Sequence, residues 1–159
     1  MLDIRPLQSS DQDQLWNWLH IALWDPPPAP LRPREVLDDP LVRIYAEDWG
    51  RAGDVGVVGE VEGKAVGACW MRLLPQQSQG LAYVDEETPQ LGIGLVPGFQ
   101  GQGHGPRLML AALEAARAHG YRKVSLTVHP QNHAIRVYER CGFRKIGLRN
   151  HYHLMLVEL

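Results

Sequence analysis

From Leu91 to Gly105 the chain reads Leu-Gly-Ile-Gly-Leu-Val-Pro-Gly-Phe-Gln-Gly-Gln-Gly-His-Gly, and no other stretch restricts its fold so tightly. An apolar, strand-like pattern runs into a turn. Glycine then falls at every second position, and a long Ala/Leu-rich helix begins. Without β-carbons, backbone N–H groups can close around a ligand that other residues would hold off. The helix that follows points its partially positive start at the same spot. The junction is a cradle for a phosphorylated ligand.

Three glycine-rich phosphate motifs compete for it. A Walker loop needs Gly-x-x-x-x-Gly-Lys-Ser/Thr. Gly98 and Gly103 have that spacing, but His104 and Gly105 stand where the lysine and the hydroxyl must be. A dinucleotide fingerprint needs Gly-x-Gly-x-x-Gly and an acid at the end of the next strand. Counted from Gly101 its third glycine falls on Pro106, and the next strand ends in Val128-His129. Both readings fail.

What remains is Gln100-x-x-Gly103-x-Gly105, followed downstream by Asn132-His133-Ala134-Ile135-Arg136-Val137-Tyr138-Glu139-Arg140-Cys141-Gly142-Phe143. The first resembles the acetyl-CoA diphosphate loop of the GNAT superfamily of N-acetyltransferases. The second resembles that family's closing Asn…Leu-Tyr-Glu-x-x-Gly-Phe block. The likeness is clearest from Thr88 to Phe143 and weak before Val55.

At 159 residues and 45% apolar content the chain reads as a single domain able to bury an adequate core. No basic-then-apolar leader opens it, and no apolar run approaches a membrane span, so a cytoplasmic protein with no membrane partner is expected. Cys69 sits in a strand-like run and Cys141 at a helix end; in that setting free thiols are the expectation.

The net charge of −2 hides an asymmetry. Residues 1–89 hold 15 acids and 7 bases, a balance of −8, whereas residues 90–159 hold 3 and 9, a balance of +6. The basic half contains the glycine loop and reads as mainly the acetyl-CoA side. The acidic half would then face a cationic amine acceptor. Unlike-charged halves that simply pack together account for the numbers equally well. Nothing in the balance points to nucleic acid.

Periodicity orders the elements. A strand is expected over Leu2–Leu7, then a helix through Leu15, Trp18 and Leu19 capped by Ser9, Ser10 or Asp11. The proline run from Pro26 stops it. A helical stretch over Arg34–Trp49, broken at Pro40, precedes a hairpin of Val55–Val61 and Ala65–Leu74. A polar loop covers Pro75–Gly80, and Leu81–Val84 reads as a strand extension. Strand Gln90–Val96 puts Leu91, Ile93 and Leu95 on one face and Gly92 and Gly94 on the other. Glycine there signals a bulge or a close approach. After the loop, Leu108, Met109, Ala112, Leu113 and Ala116 share one arc of an amphipathic helix that ends at Gly120. Strand Lys123–Val128, a short helix His133–Cys141 and strands Phe143–Gly147 and His151–Glu158 complete an α+β order. The resemblance implies a mixed, mostly antiparallel central sheet flanked by helices.

It also implies site residues. Backbone groups of Ile93, Gly94 and Leu95 would hydrogen-bond the pantetheine arm. The amides of Gln100, Gly101, Gln102, Gly103, His104 and Gly105 would hold the diphosphate, helped by the Gln100 side chain. Pro106 departs from the family pattern by removing one N–H from the first helical turn, where proline is sterically tolerated. Asn132 matches the asparagine that touches the pantetheine arm, and equally suits a helix N-cap.

Tyr138 is the catalytic candidate, because a leaving thiolate needs a proton that a phenol can supply. From spacing alone it would be a core tyrosine; the resemblance favours the proton donor. The family's usual glutamate position carries Gln90, leaving Asp85, Glu86, Glu87 or a water chain as the base. Arg72, Trp70 and Trp49 could line an acceptor site or belong to the core. His129 and His133, and His151 with His153, lack the partners and geometry of a metal site, so no metal is expected. The resemblance implies acetyl-CoA as co-substrate, an amine-bearing acceptor, direct transfer in a ternary complex, and it admits a homodimer. A non-catalytic acyl-CoA sensor and a longer-chain acyltransferase stay open beside it.

Overall fold

The computed structural model describes residues 1–75 and 80–159. Of the polar loop expected over Pro75–Gly80, residues 76–79 lie outside the described residues.

The strands are β1 (Leu2–Pro6), β2 (Val55–Val61), β3 (Lys64–Arg72), β4 (Gln90–Leu95), β5 (Lys123–Val128), β6 (Arg144–Arg149) and β7 (Tyr152–Glu158). The helices are α1 (Gln12–Ala22), α2 (Pro40–Arg43), α3 (His104–His119) and α4 (Ala134–Arg140). Among the described residues the strands form one sheet in the order β1-β2-β3-β4-β5-β7-β6. Every neighbouring pair is antiparallel except β4 and β5. This is the mixed, mostly antiparallel α+β sheet that the sequence implied.

Each face of the sheet carries its own core. On one, the expected arc of α3 (Leu108, Met109, Ala112, Leu113, Ala116) is buried against Val57, Val66, Cys69 and Met71. On the other, Leu15, Trp18 and Leu19 of α1 pack with Val58, Ala68 and Trp70. Cys69 and Met71 thus face α3 while Ala68 and Trp70 face α1, the alternation that a strand buried on both sides demands.

Three expectations are corrected. The break expected at Pro40 is present, but little of Arg34–Trp49 is α-helical: a 3-10 turn (Arg34–Asp38) gives way at Asp39 to the one-turn α2. Pro40 cannot donate back to the preceding turn, and the Asp39 carboxylate restarts the helix by accepting from Leu41 N–H at 2.9 Å. Ser9–Asp11 form a 3-10 turn ahead of α1 rather than a side-chain cap on it. Asp11 instead accepts from Gln8 N–H at 2.8 Å and pairs with Arg5, fixing the turn from β1 into the helix. Leu81–Val84 is no strand but an irregular turn. Its polar groups go elsewhere: Leu81 N–H donates to the Tyr45 hydroxyl, Ala82 N–H to Gln90 Oε1, and the Ala82 carbonyl accepts from Ser125 Oγ.

Candidate active site

Strands β4 and β5 share a single ladder pair, Gln90 with Ser125, fastened by a 3.1 Å bond from Ser125 N–H to the Pro89 carbonyl. Beyond it the ladder stops, and the sheet splays. Every residue of β4 has a partner in β3, and the 2.9 Å bond from Val96 N–H to the Val66 carbonyl marks the even-numbered positions as the hydrogen-bonded pairs. By the antiparallel alternation, the backbone groups of Ile93 and Leu95 face the open side, and those of Gly94 face β3. An extended ligand entering the splay would meet the polar edge of Ile93 and Leu95.

The glycines of β4 have structural reasons. A β-carbon on Gly92 would meet the Trp70 indole at 2.9 Å, and one on Gly94 would overlap the Trp18 carbonyl. Helix α1 therefore lies directly on this strand.

The loop from β4 to α3 is braced from within. Gln100 Nε2 donates to the Leu95 carbonyl at 2.8 Å, and Gln102 Nε2 to the Gly98 carbonyl at 3.1 Å. Gly101 and Gly103 sit at φ 74° and 82°, where a side chain would be strained. Gly98 and Gly105 have neither excuse: their φ is ordinary and an added β-carbon would meet no protein atom within 4 Å. Helix α3 starts at His104 with no side chain capping it and no acid in its first turn. Its first amides, less the one Pro106 lacks, are left for another acceptor. Open space above glycine, unpaired donors and a positive helix end together suit a diphosphate.

On the α1 side of the splay lies a cavity of about 480 Å³. Its walls come from Leu19 and Ala22 at the end of α1 and Leu23 and Trp24 just past it, from Leu41, Val42 and Tyr45, from Leu81 and Ala82, from Gly92, and from Thr127 to His129. Asn132, Tyr138, Asn150 and Tyr152 close it. Tyr138 is partly buried on α4, its ring edge-on to Phe143 at 6.2 Å. Burial pushes its phenol well above the ordinary tyrosine range, with the nearby Cys69 and Cys141 thiols adding to the shift. The hydroxyl is protonated at any physiological pH. Asn132 Oδ1 accepts from Ala134 N–H at 2.9 Å and so starts α4, while the residue also lines the cavity.

Residues 15–143 match the sequence profile described as the acetyltransferase (GNAT) family. The chain belongs to that family. A mycothiol acetyltransferase of Sanguibacter keddieii is 28% identical over 149 residues, covering 91% of this chain but 44% of that protein. One from Corynebacterium glutamicum is 33% identical over 104 residues, 65% of this chain and 32% of that protein. The chain thus spans less than half the length of these curated relatives. Among solved structures, the Thermoplasma acidophilum PaiA N-acetyltransferase in complex with coenzyme A superposes with a TM-score of 0.69. It has 14% identity and coverage of 100% and 99% of the two chains. The Escherichia coli ribosomal-protein-S18-alanine N-acetyltransferase gives 0.69 at 18% identity, over 99% and 94%. At these identities the structural likeness establishes the GNAT fold.

Several residues that this GNAT chain offered as acceptor-site candidates lie elsewhere. Arg72 is 1% exposed, bound to Asp54 at 2.7 Å and to the carbonyls of Ile44 and Glu47. Trp70 and Trp49 are core. Desolvation is the largest single influence on Asp85 and pushes its carboxyl up, but hydrogen bonds from Thr88, Glu87 N–H and Lys123 together outweigh it and hold the group below the usual carboxylate range. Glu86 and Glu87 are exposed, and none of the three lines the cavity. Gln90 is buried; its Oε1 takes bonds from Tyr45 and Ala82, and its Nε2 has no partner among the described residues. Among the described residues no cluster of three His, Cys, Asp or Glu side chains could hold a metal. No described helix is long and apolar enough to cross a membrane.

Trp24, Arg32, Tyr45 and Tyr152 line the cavity, and the first three lie in or beside the proline-rich connection and the Arg34–Trp49 stretch, where the family likeness fades and an acceptor pocket is expected. Tyr152 comes from the β6–β7 junction, where no short motif marks it.

Proposed function

We propose that this chain transfers an acetyl group from acetyl-CoA to an amine by direct attack in a ternary complex. The observation that carries the reading is the coincidence of three features at one splay. These are the β4 edge at Ile93 and Leu95 N–H that β5 leaves open, an uncapped α3 start under Gly98 and Gly105, and Tyr138 beside the cavity. Amides from Gln100 through Gly105 would bind the diphosphate, and Asn132 and the β4 edge the pantetheine arm. The proteins this chain resembles include a mycothiol acetyltransferase and a ribosomal-protein-S18-alanine N-acetyltransferase, which supports an acyl-transfer chemistry of this kind.

In the reaction the amine nitrogen bonds the thioester carbonyl carbon, and the carbon–sulfur bond breaks. The sulfur leaves with the Tyr138 proton, the surplus proton on nitrogen passes through water to solvent, and the phenolate is reprotonated from solvent. A buried phenol suits this role because it stays protonated until charge develops on sulfur.

A binding-only reading has one observation in its favour: among the described residues no carboxylate lines the cavity. Release of free thiol from acetyl-CoA in the presence of an amine panel separates the two. Turnover supports the transferase; saturable CoA binding without turnover on any amine supports the sensor.

A further inference from the structure

Building on the acetyl-transfer reading, we infer that the acceptor is an amine with an apolar or aromatic body, admitted as the free base, and that the protein supplies no general base. The cavity walls argue first. Leu19, Leu23, Trp24, Val42 and Leu91 give it an apolar lining, and Arg32 is its only Lys, Arg, Asp or Glu among the described residues. Arg32 is itself neutralised, its Nε and Nη2 donating to the two Asp25 oxygens at 2.8 Å each. That bond holds Asp25 below the usual carboxylate range, so the pair stays charged and mutually satisfied. His20 fixes the backbone beneath by donating Nε2 to the Arg32 carbonyl.

The remaining titratable groups on the walls are Tyr45, Tyr138, Tyr152 and His129. None is placed as a base. Tyr45 donates to Gln90 and is pushed up by burial. Arg32 Nη2 donates to the Tyr152 hydroxyl at 3.4 Å, so that oxygen is already engaged as an acceptor. His129 stands edge-on between Trp24 and Tyr152, at 5.6 and 5.7 Å. Its Nδ1 accepts from Gln131 N–H at 3.1 Å, which puts the proton of the neutral ring on Nε2 as a donor. Where a carboxylate could have stood, Gln90 spends its oxygen on Tyr45 and Ala82.

An ammonium entering such a space would lose its hydration with no anion to replace it, and burial then favours the neutral amine. The proton is shed to solvent at the mouth. A polyamine would have to shed or bury several charges and is disfavoured. An aryl- or alkylamine sheds one and gains contact with Trp24 and the aliphatic wall.

The test uses the wild-type chain with saturating acetyl-CoA, ring-substituted benzylamines of differing solution pKa, and spermidine. Expected are a kcat/KM for benzylamines at least about tenfold above that for spermidine, the scale of discrimination an apolar pocket supplies. The midpoint of each pH profile should follow the pKa of the amine used. Calorimetry with CoA-loaded protein should show the same preference in binding, independent of turnover. Leu41 lines the mouth and is 60% exposed, so Leu41→Asp adds a carboxylate without disturbing the core. It should narrow the preference toward spermidine by about tenfold. Spermidine as the better acceptor, or one midpoint shared by all benzylamines, overturns the inference. So does a protein that binds CoA but neither binds nor acetylates a benzylamine. Failure to bind acetyl-CoA at all instead removes the acetyl-transfer reading, and this inference with it.

Discussion

The carbonyl oxygen of Trp18 occupies the space that a β-carbon on Gly94 would need. Helix α1 and strand β4 are therefore in backbone contact beside the splay, and the C-terminal end of the same helix walls the cavity. Gly94→Ala should force α1 outward. A loss of about 1–3 kcal/mol in denaturant unfolding is expected, the usual cost of overpacking, together with weaker acceptor binding. Unchanged stability would mean that α1 yields freely there.

Gly105 offers a cleaner separation of folding from ligand. It lies in the first turn of α3, and nothing in the protein fills the space beside it. Gly105→Ala should leave folding unharmed or stabilise it by up to about 1 kcal/mol through helix propensity. If that space belongs to the diphosphate, acetyl-CoA affinity in the same variant should drop about tenfold or more. A thermal melt and a titration on one preparation check both.

Tyr138→Phe should lower kcat by about tenfold or more, the scale of acid–base assistance, with little change in stability. The hydroxyl has no hydrogen-bond partner among the described residues, so folding loses little. The pH profile carries the sign. An acid acts in its protonated form and is lost as pH rises through its pKa; burial has moved this one above the ordinary tyrosine value. No falling limb due to Tyr138 should then appear below about pH 10. A limb there that vanishes in the phenylalanine variant would contradict the assignment.

Arg72 and Asp54 form a buried ion pair, with side chains 2% and 4% exposed. Arg72 also holds the Ile44 and Glu47 carbonyls, and so positions Tyr45 on the cavity wall. Removing one partner leaves a buried charge unpaired. Arg72→Met should cost about 3–5 kcal/mol and reduce activity through the wall, whereas a change at exposed Arg117 should do neither.

The basic half of the chain was the readable half. Apolar alternation, the glycine spacing and the Ala/Leu arc placed β4, the loop and α3 almost to the residue, because each signal is local. The acidic half was open to two readings. Its carboxylates suggested a surface for a cationic acceptor, yet Asp11, Asp25, Asp54, Glu60 and Asp85 are engaged by Arg5, Arg32, Arg72 and Lys123. Charge counts do not reveal which acids are already paired. Leu81 and Ala82 looked like strand because they are apolar. The bonds with Tyr45, Gln90 and Ser125 decide their shape, and Tyr45 and Ser125 are distant in sequence. The cavity itself joins residues from Leu19 to Tyr152, so only the fold could assemble it.

Titration calorimetry of acetyl-CoA into the purified chain tests the central claim most directly. The account predicts saturable association in the micromolar to millimolar range, weakened in Gly105→Ala. No detectable association at millimolar acetyl-CoA, from protein shown to be folded, would contradict it.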